Sequence, residues 1–114
     1  MLFRSERLRQ LAIERATTKF YEQARWQHFT EQVRLQDETA KQRTFIAEAH
    51  NVIGELDAPE RQQVEQHLDT MTRQVDERDP LATPSLLLLP DIPEPSDKDL
   101  EPFLAPRFHF GPGF

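Results

Sequence analysis

Apolar residues in the first half of the chain recur at intervals of three and four, which is the period of an α-helix. No Gly or Pro occurs before Gly54, and the good helix formers Glu, Gln, Arg, Ala and Leu dominate. The pattern predicts one long helix over about residues 5–53. It admits a break near residues 34–44, where apolar residues are sparse. The periodic positions are Leu8, Leu11/Ala12, Trp26, Phe29, Val33, Phe45, Ala49, Val52 and Leu56.

The stretch VIGELDAPE, residues 52–60, predicts the end of one helix and the start of another. Gly54 is typical of the position just past a helix end, where a left-handed backbone is common. Asp57 is typical of an N-cap, and Glu60 three residues later completes the pattern of a capping box, with Pro59 in the first turn. We therefore expect a turn over residues 54–58.

A second helix is predicted over about residues 59–78, because Val64, Leu68, Met71 and Val75 follow at steps of four, three and four. It should end before the pair Asp79–Pro80. If the chain folds back at the turn, this apolar stripe meets Phe45, Ala49, Val52 and Ile53 of the first helix. Residues 1–79 are thus expected to form an antiparallel helical hairpin.

The composition of the chain changes after residue 79, because eight of its nine prolines lie in residues 80–114. Proline removes a backbone donor and pushes the preceding residue toward extended geometry. We expect an extended Pro-rich arm without a core of its own, although residues 97–104 could hold one helical turn. The arm is nevertheless rich in large apolar residues, namely Leu86–Leu89, Ile92, Leu100, Phe103, Leu104, Phe108, Phe110 and Phe114.

Composition supports an all-α protein with little core. The 114 residues are 37% hydrophobic and 30% charged, with a mean hydropathy of -0.72 and no cysteine. Such a chain can build helices with one apolar stripe but hardly a deep independent core. The absence of cysteine excludes disulfides and thiolate metal sites.

The formal charge of -6 is unevenly distributed. Residues 1–30 carry six Lys/Arg against three Asp/Glu, whereas residues 31–79 carry six against twelve and residues 80–114 carry two against five. The acidic balance argues against nucleic acid as the main partner. The basic first third is the part that favours an anionic partner.

The basic N-terminal segment MLFRSERLRQLAIERATTKFYEQAR interleaves six cations with apolar and hydroxyl residues. It resembles an amphipathic mitochondrial presequence, although Glu6, Glu14 and Glu22 depart from the acid-poor norm. Two alternatives stay open. The segment is a plain solvated helix with ion pairs between neighbouring turns, or it binds a membrane surface or anionic lipid.

No catalytic or metal signature occurs. The four histidines, His28, His50, His67 and His109, show no helical metal-site spacing, and the three glycines form no phosphate-binding loop. Carboxylate pairs such as Asp37–Glu38 are expected on a solvated helix face. The sequence therefore predicts a non-enzyme without cofactor or metal.

The aromatic stripe of the first helix carries more apolar surface than the second helix can cover. The second helix, of about 19 residues at about 1.5 Å each, reaches back only to about residue 36. We expect other chains to cover the rest, or alternatively the chain's own tail folding back. The candidate partner-binding residues are Phe20, Trp26, Phe29, Val33, Leu87, Leu89, Ile92, Phe103, Phe108, Phe110 and Phe114.

These features favour a structural accessory subunit that staples neighbouring protein subunits of a large hetero-oligomeric assembly, and they admit peripheral membrane contact. The presequence-like start favours a mitochondrial respiratory complex or ATP synthase, on the matrix side or associated with the inner membrane. The alternatives are a microtubule-associated protein of the ciliary axoneme, a mitochondrial ribosomal accessory protein, and a free module whose tail is a ligand for a proline-recognising domain.

Overall fold

A computed structural model describes residues 2–104 of the chain, with side chains from Arg4 onward. It contains the α-helices α1, Leu2–Val52, α2, Ala58–Arg78, and α3, Asp97–Leu100, with 3-10 segments at Ile53–Glu55, Pro84–Leu87 and Glu101–Phe103. The described residues include no strand, so the predicted all-helical class is confirmed. The described residues form two compact units: unit 1 combines residues 2–28 and 90–104, and unit 2 is residues 29–89.

The long N-terminal helix is confirmed, and it is continuous through residues 34–44. Ion pairs stabilise this apolar-poor stretch: Arg34 contacts Glu31 at 2.6 Å and Glu38 at 2.7 Å, one turn away on either side. Thr39 is fully buried and donates its hydroxyl hydrogen bond to the Gln36 carbonyl at 3.0 Å. These ion pairs and the buried Thr39 therefore stabilise the helix where apolar residues are sparse.

The turn after α1 differs from the sequence expectation. Gly54 lies inside a 3-10 segment instead of taking a left-handed backbone, and a β-carbon there would meet nothing within 4 Å. Asp57 is the N-cap of α2, as predicted, but its side chain makes no capping hydrogen bond. The capping-box prediction was therefore wrong. The extended backbone of Asp57 and the proline in the first turn begin the helix without one.

Replacing Gly54 with alanine should stabilise the protein, because the backbone at this site suits any residue and the added methyl group has open space. Alanine has less freedom to lose on folding, so we expect a gain of about 0.4–1 kcal/mol in the free energy of unfolding. Urea denaturation followed by circular dichroism measures it. A loss of stability would show that the turn needs a conformation reserved for glycine.

Contacts in unit 2 join α1 to α2. Leu68 and Val75 of α2 are buried, whereas Phe45 and Val52, which were expected opposite them, are 68% and 59% exposed. Polar contacts complement the small apolar core, because Arg43 of α1 pairs with carboxylates at the end of α2. The helices thus meet on a face that excludes Phe45 and Val52.

The predicted stop after Arg78 is correct, and Asp79 and Pro80 are both buried. The Asp79 carboxylate accepts hydrogen bonds from the Arg43 guanidinium and, at 2.9 Å, from the Leu81 amide. Its carbonyl accepts from the Thr83 amide at 2.8 Å. Side chain and backbone of Asp79 together stabilise the turn that follows α2.

In unit 1 part of the tail folds back on α1. Ser96 and Asp99 form a capping box that starts α3, with the Ser96 amide donating to the Asp99 carboxylate at 2.9 Å. Leu100 and Leu104 are buried against Ala16, which is fully buried on α1. Residues 97–103 are therefore helical and packed rather than extended. The single helical turn that the sequence admits here is confirmed.

Candidate functional site

Two kinds of functional feature were sought in the described part of the chain, a metal site and a membrane-spanning helix. Among residues 4–104 no group of three or more His, Asp and Glu side chains lies close enough to hold a metal ion. The described helices include none that is long and apolar enough to cross a membrane. The features that stand out are instead exposed apolar surfaces.

Exposed large apolar side chains outnumber buried apolar residues. Only six apolar residues of residues 4–104 are buried, whereas 13 large ones are at least 36% exposed. The buried residues are Ala16, Ile53, Leu68, Val75, Leu100 and Leu104. The exposed residues are Leu8, Leu11, Trp26, Phe29, Val33, Phe45, Val52, Leu56, Leu81 and Leu86–Leu89.

The candidate partner-binding residues fall into three groups. Five are exposed, from 46% to 63%: Trp26, Phe29, Val33, Leu87 and Leu89. Three are partly buried: Phe20, Ile92 and Phe103. Phe108, Phe110 and Phe114 lie outside the described residues.

Phe20 and Phe103 contact one another inside unit 1. Their ring centroids are 6.3 Å apart and the rings meet edge to face at 88°. Both rings flank the buried cluster of Ala16, Leu100 and Leu104. An edge-to-face pair of this kind stabilises the packing between α1 and the tail. These two candidate partner-binding residues therefore pack against one another within the chain.

Exposed leucines and part of α1 are held near one another in unit 2. The side-chain amide of Gln32 donates a hydrogen bond of 2.6 Å to the Leu86 carbonyl. Phe29 and Val33 flank Gln32 on α1, three positions before it and one after. We call Phe29, Val33 and Leu86–Leu89 the leucine patch.

Beside it on α1, Arg34 is held by Glu31, and this hydrogen-bonded guanidinium lowers the pKa of the Glu31 carboxyl.

A partly open groove of about 550 Å³ lies between α1 and α2 in unit 2. Phe45 and Ile46 line it from α1, and Leu68, Met71 and Val75 line it from α2. Sequence reasoning missed this groove, because it assigned Phe45 to the contact between the helices. The adjacent pair Phe45 and Ile46 was the available signal: neighbouring residues point about 100° apart on a helix, so the pair makes an apolar surface wider than a single contact stripe.

One buried polar atom borders the groove. The side-chain oxygen of Gln42, which also lines it, is buried without a hydrogen-bond partner, while its amide group donates to Glu38 at 3.4 Å. A buried acceptor without a partner is costly. The groove thus has both apolar and polar side chains in its lining, and an unpartnered acceptor is buried beside it.

Comparison with known proteins identifies no matching protein-family model, no matching curated protein and no matching solved structure.

Proposed function

We propose that this chain is a non-catalytic structural accessory subunit that joins neighbouring protein subunits of a large assembly. The observation that carries the proposal is the excess of exposed over buried apolar side chains in residues 4–104. Exposed apolar clusters on soluble helices mark surfaces that other proteins cover.

The leucine patch is the proposed main contact. Leu86–Leu89 are 37–74% exposed, and the Gln32 hydrogen bond orders the backbone that carries them. After Leu87 the chain has no regular secondary structure up to Ser96, and prolines at 90, 93 and 95 limit its freedom. A segment that is already stiff loses less entropy when a neighbour orders it.

The helical part acts as a rigid support in this proposal. We propose that α1 and α2 form an antiparallel hairpin, supported by the pairing of Arg43 with Asp76 at 2.8 Å and of Arg78 with Glu38 at 3.3 Å. Phe29 and Val33 of α1 then present their side chains from a fixed frame. Phe108, Phe110 and Phe114 remain proposed anchors at the end of the tail.

The proposed host is a mitochondrial respiratory complex or ATP synthase, with the chain on the matrix side or at the inner membrane. The support is the presequence-like composition of the N-terminal helix beside an acidic remainder. A ciliary axoneme is the alternative, favoured by the 51-residue length of α1, which suits a protein that runs along a filament.

Replacing Leu87 and Leu89 together with serine should reduce incorporation into the assembly about tenfold or more, because buried leucines at an interface centre contribute about 1 kcal/mol or more each. The measurement is the fraction of tagged chain that migrates at high mass on a native gel of cell extract. Helicity by circular dichroism should not change, since both side chains are exposed.

The matched control is Leu81→Ser, which removes a leucine that is 67% exposed but lies outside the leucine patch. It should incorporate like the unchanged chain. The proposal fails if the double variant incorporates normally, or if the unchanged chain is found only as a free monomer.

A further inference from the structure

The outward side of α1 in unit 1 carries a cationic and apolar stripe. Steps of three and four place its residues on one side of the helix, and all of them are exposed. Ala16 and Phe20 lie on a different side, toward the packed tail. We call the stripe the basic face; its residues are Arg4, Leu8, Leu11, Arg15, Lys19, Glu22 and Trp26.

Five of the cations in this segment take no part in the ion pairs among residues 4–104. None of the ion pairs among residues 4–104 involves Arg4, Arg7, Arg15, Lys19 or Arg25. The alternative of a helix laced by ion pairs between neighbouring turns therefore does not apply to these five. In α1 of unit 2, by contrast, all three cations, Arg34, Lys41 and Arg43, are paired. The positive charge of the basic face is available to a partner.

Apolar side chains interrupt the cations on the same side. Leu8 is 49% exposed, Leu11 is 39% exposed and Trp26 is 63% exposed. A surface built for nucleic acid gains little from exposed leucines, because phosphate contacts dominate that affinity. A bilayer surface uses both kinds of side chain: its phosphates attract cations, and its interfacial region accepts leucine and tryptophan.

We propose that the basic face binds the surface of an anionic phospholipid bilayer, with α1 of unit 1 lying parallel to it. The lysine and arginines contact the lipid phosphates, and Leu8, Leu11 and Trp26 enter the headgroup region. The acidic residues Asp97 and Asp99 belong to the segment that packs on a different side of α1 from the basic face.

This inference goes beyond the proposed function and does not depend on it, because the isolated chain is sufficient to test it. Full-length protein is mixed with phosphatidylcholine vesicles that contain or lack phosphatidylglycerol. Trp26 is the only tryptophan, so its fluorescence reports the basic face alone. We expect a blue shift and co-sedimentation with the anionic vesicles, both falling as salt rises, and neither with phosphatidylcholine alone.

Two double variants, each of which removes two positive charges, show whether binding depends on the basic face or only on the net charge of the protein. Arg15→Gln with Lys19→Gln should lower the vesicle partition coefficient about tenfold or more. Arg61→Gln with Arg73→Gln in α2 removes the same charge and should leave binding within about twofold. Leu8→Ser should weaken binding without changing its salt dependence.

Three results would overturn the proposal. The first is the absence of a Trp26 shift with anionic vesicles, and the second is an equal loss of binding in both charge variants. The third is competition by double-stranded DNA at equal phosphate concentration, which would assign the basic face to nucleic acid.

Discussion

Replacing Leu100 with alanine should release residues 96–104 from α1 while leaving α2 folded. Leu100 is 4% exposed and, with Ala16 and Leu104, makes up the buried cluster of unit 1. Truncating a buried leucine costs about 2–5 kcal/mol, from lost burial and from the cavity that remains. Because only three residues form this cluster, we expect the loss to open the contact.

Hydrogen exchange measures that opening directly. The amides of Asp99, Leu100 and Leu104 are bonded within residues 96–104 and should exchange at nearly the unfolded rate in the variant. Leu88→Ala is the matched control, because the same atoms are removed from a side chain that is 74% exposed. If Leu100→Ala left the protection of these amides unchanged, the packing of the tail on α1 would be refuted.

Replacing Asp79 with asparagine should remove about 2 kcal/mol from the free energy of unfolding at neutral pH, since a hydrogen bond to a charged group contributes about 1.5–3 kcal/mol. The Asp79 side chain is 6% exposed and is held by the Leu81 amide and the Arg43 guanidinium. In the variant, Arg43 retains only Asp76, at 2.8 Å, as a charged partner. Asp69→Asn, at an exposed site of α2, should be nearly neutral.

The effect of Asp79 should depend on pH. The hydrogen bond from the Leu81 amide, and then the one from Arg43, lower the pKa of Asp79 below its ordinary value. Its contribution is therefore complete above the unfolded carboxyl pKa of about 4 and disappears as pH falls through the lower pKa of the folded state. Urea denaturation between neutral pH and about pH 2 measures the difference between the two proteins. A gap that stays constant to the lowest pH would contradict the role of the Asp79 charge.

The main helices could be predicted from the chain because their signals are local. The three- and four-residue spacing gave α1 and α2 within a few residues, and Asp79–Pro80 gave the end of α2. The turn between α1 and α2 could be predicted only in part. Whether Asp57 caps α2 with its side chain depends on a rotamer and on the path of the preceding 3-10 segment, which composition does not reveal.

Tail packing illustrates what local signals leave open. Prolines predicted an extended segment, and they do limit regular structure over residues 88–96. Leu100 and Leu104 nevertheless gain more by packing on Ala16, whose small side chain lets the tail approach the helix closely. That gain comes from residues more than eighty positions apart, so no local pattern contains it.

Local sequence was enough to predict three features: periodicity predicted the helices, the pair Asp79–Pro80 predicted the end of α2, and the charge count showed the basic character of the N-terminal third. Tertiary contacts decided which side of each helix is buried and which is exposed. They buried Ala16 and Leu68, left Phe45 and the leucine patch exposed, and turned the basic face outward. An amphipathic pattern shows that a helix has an apolar side, but only the shapes and distances of its neighbours decide which residues lose contact with water.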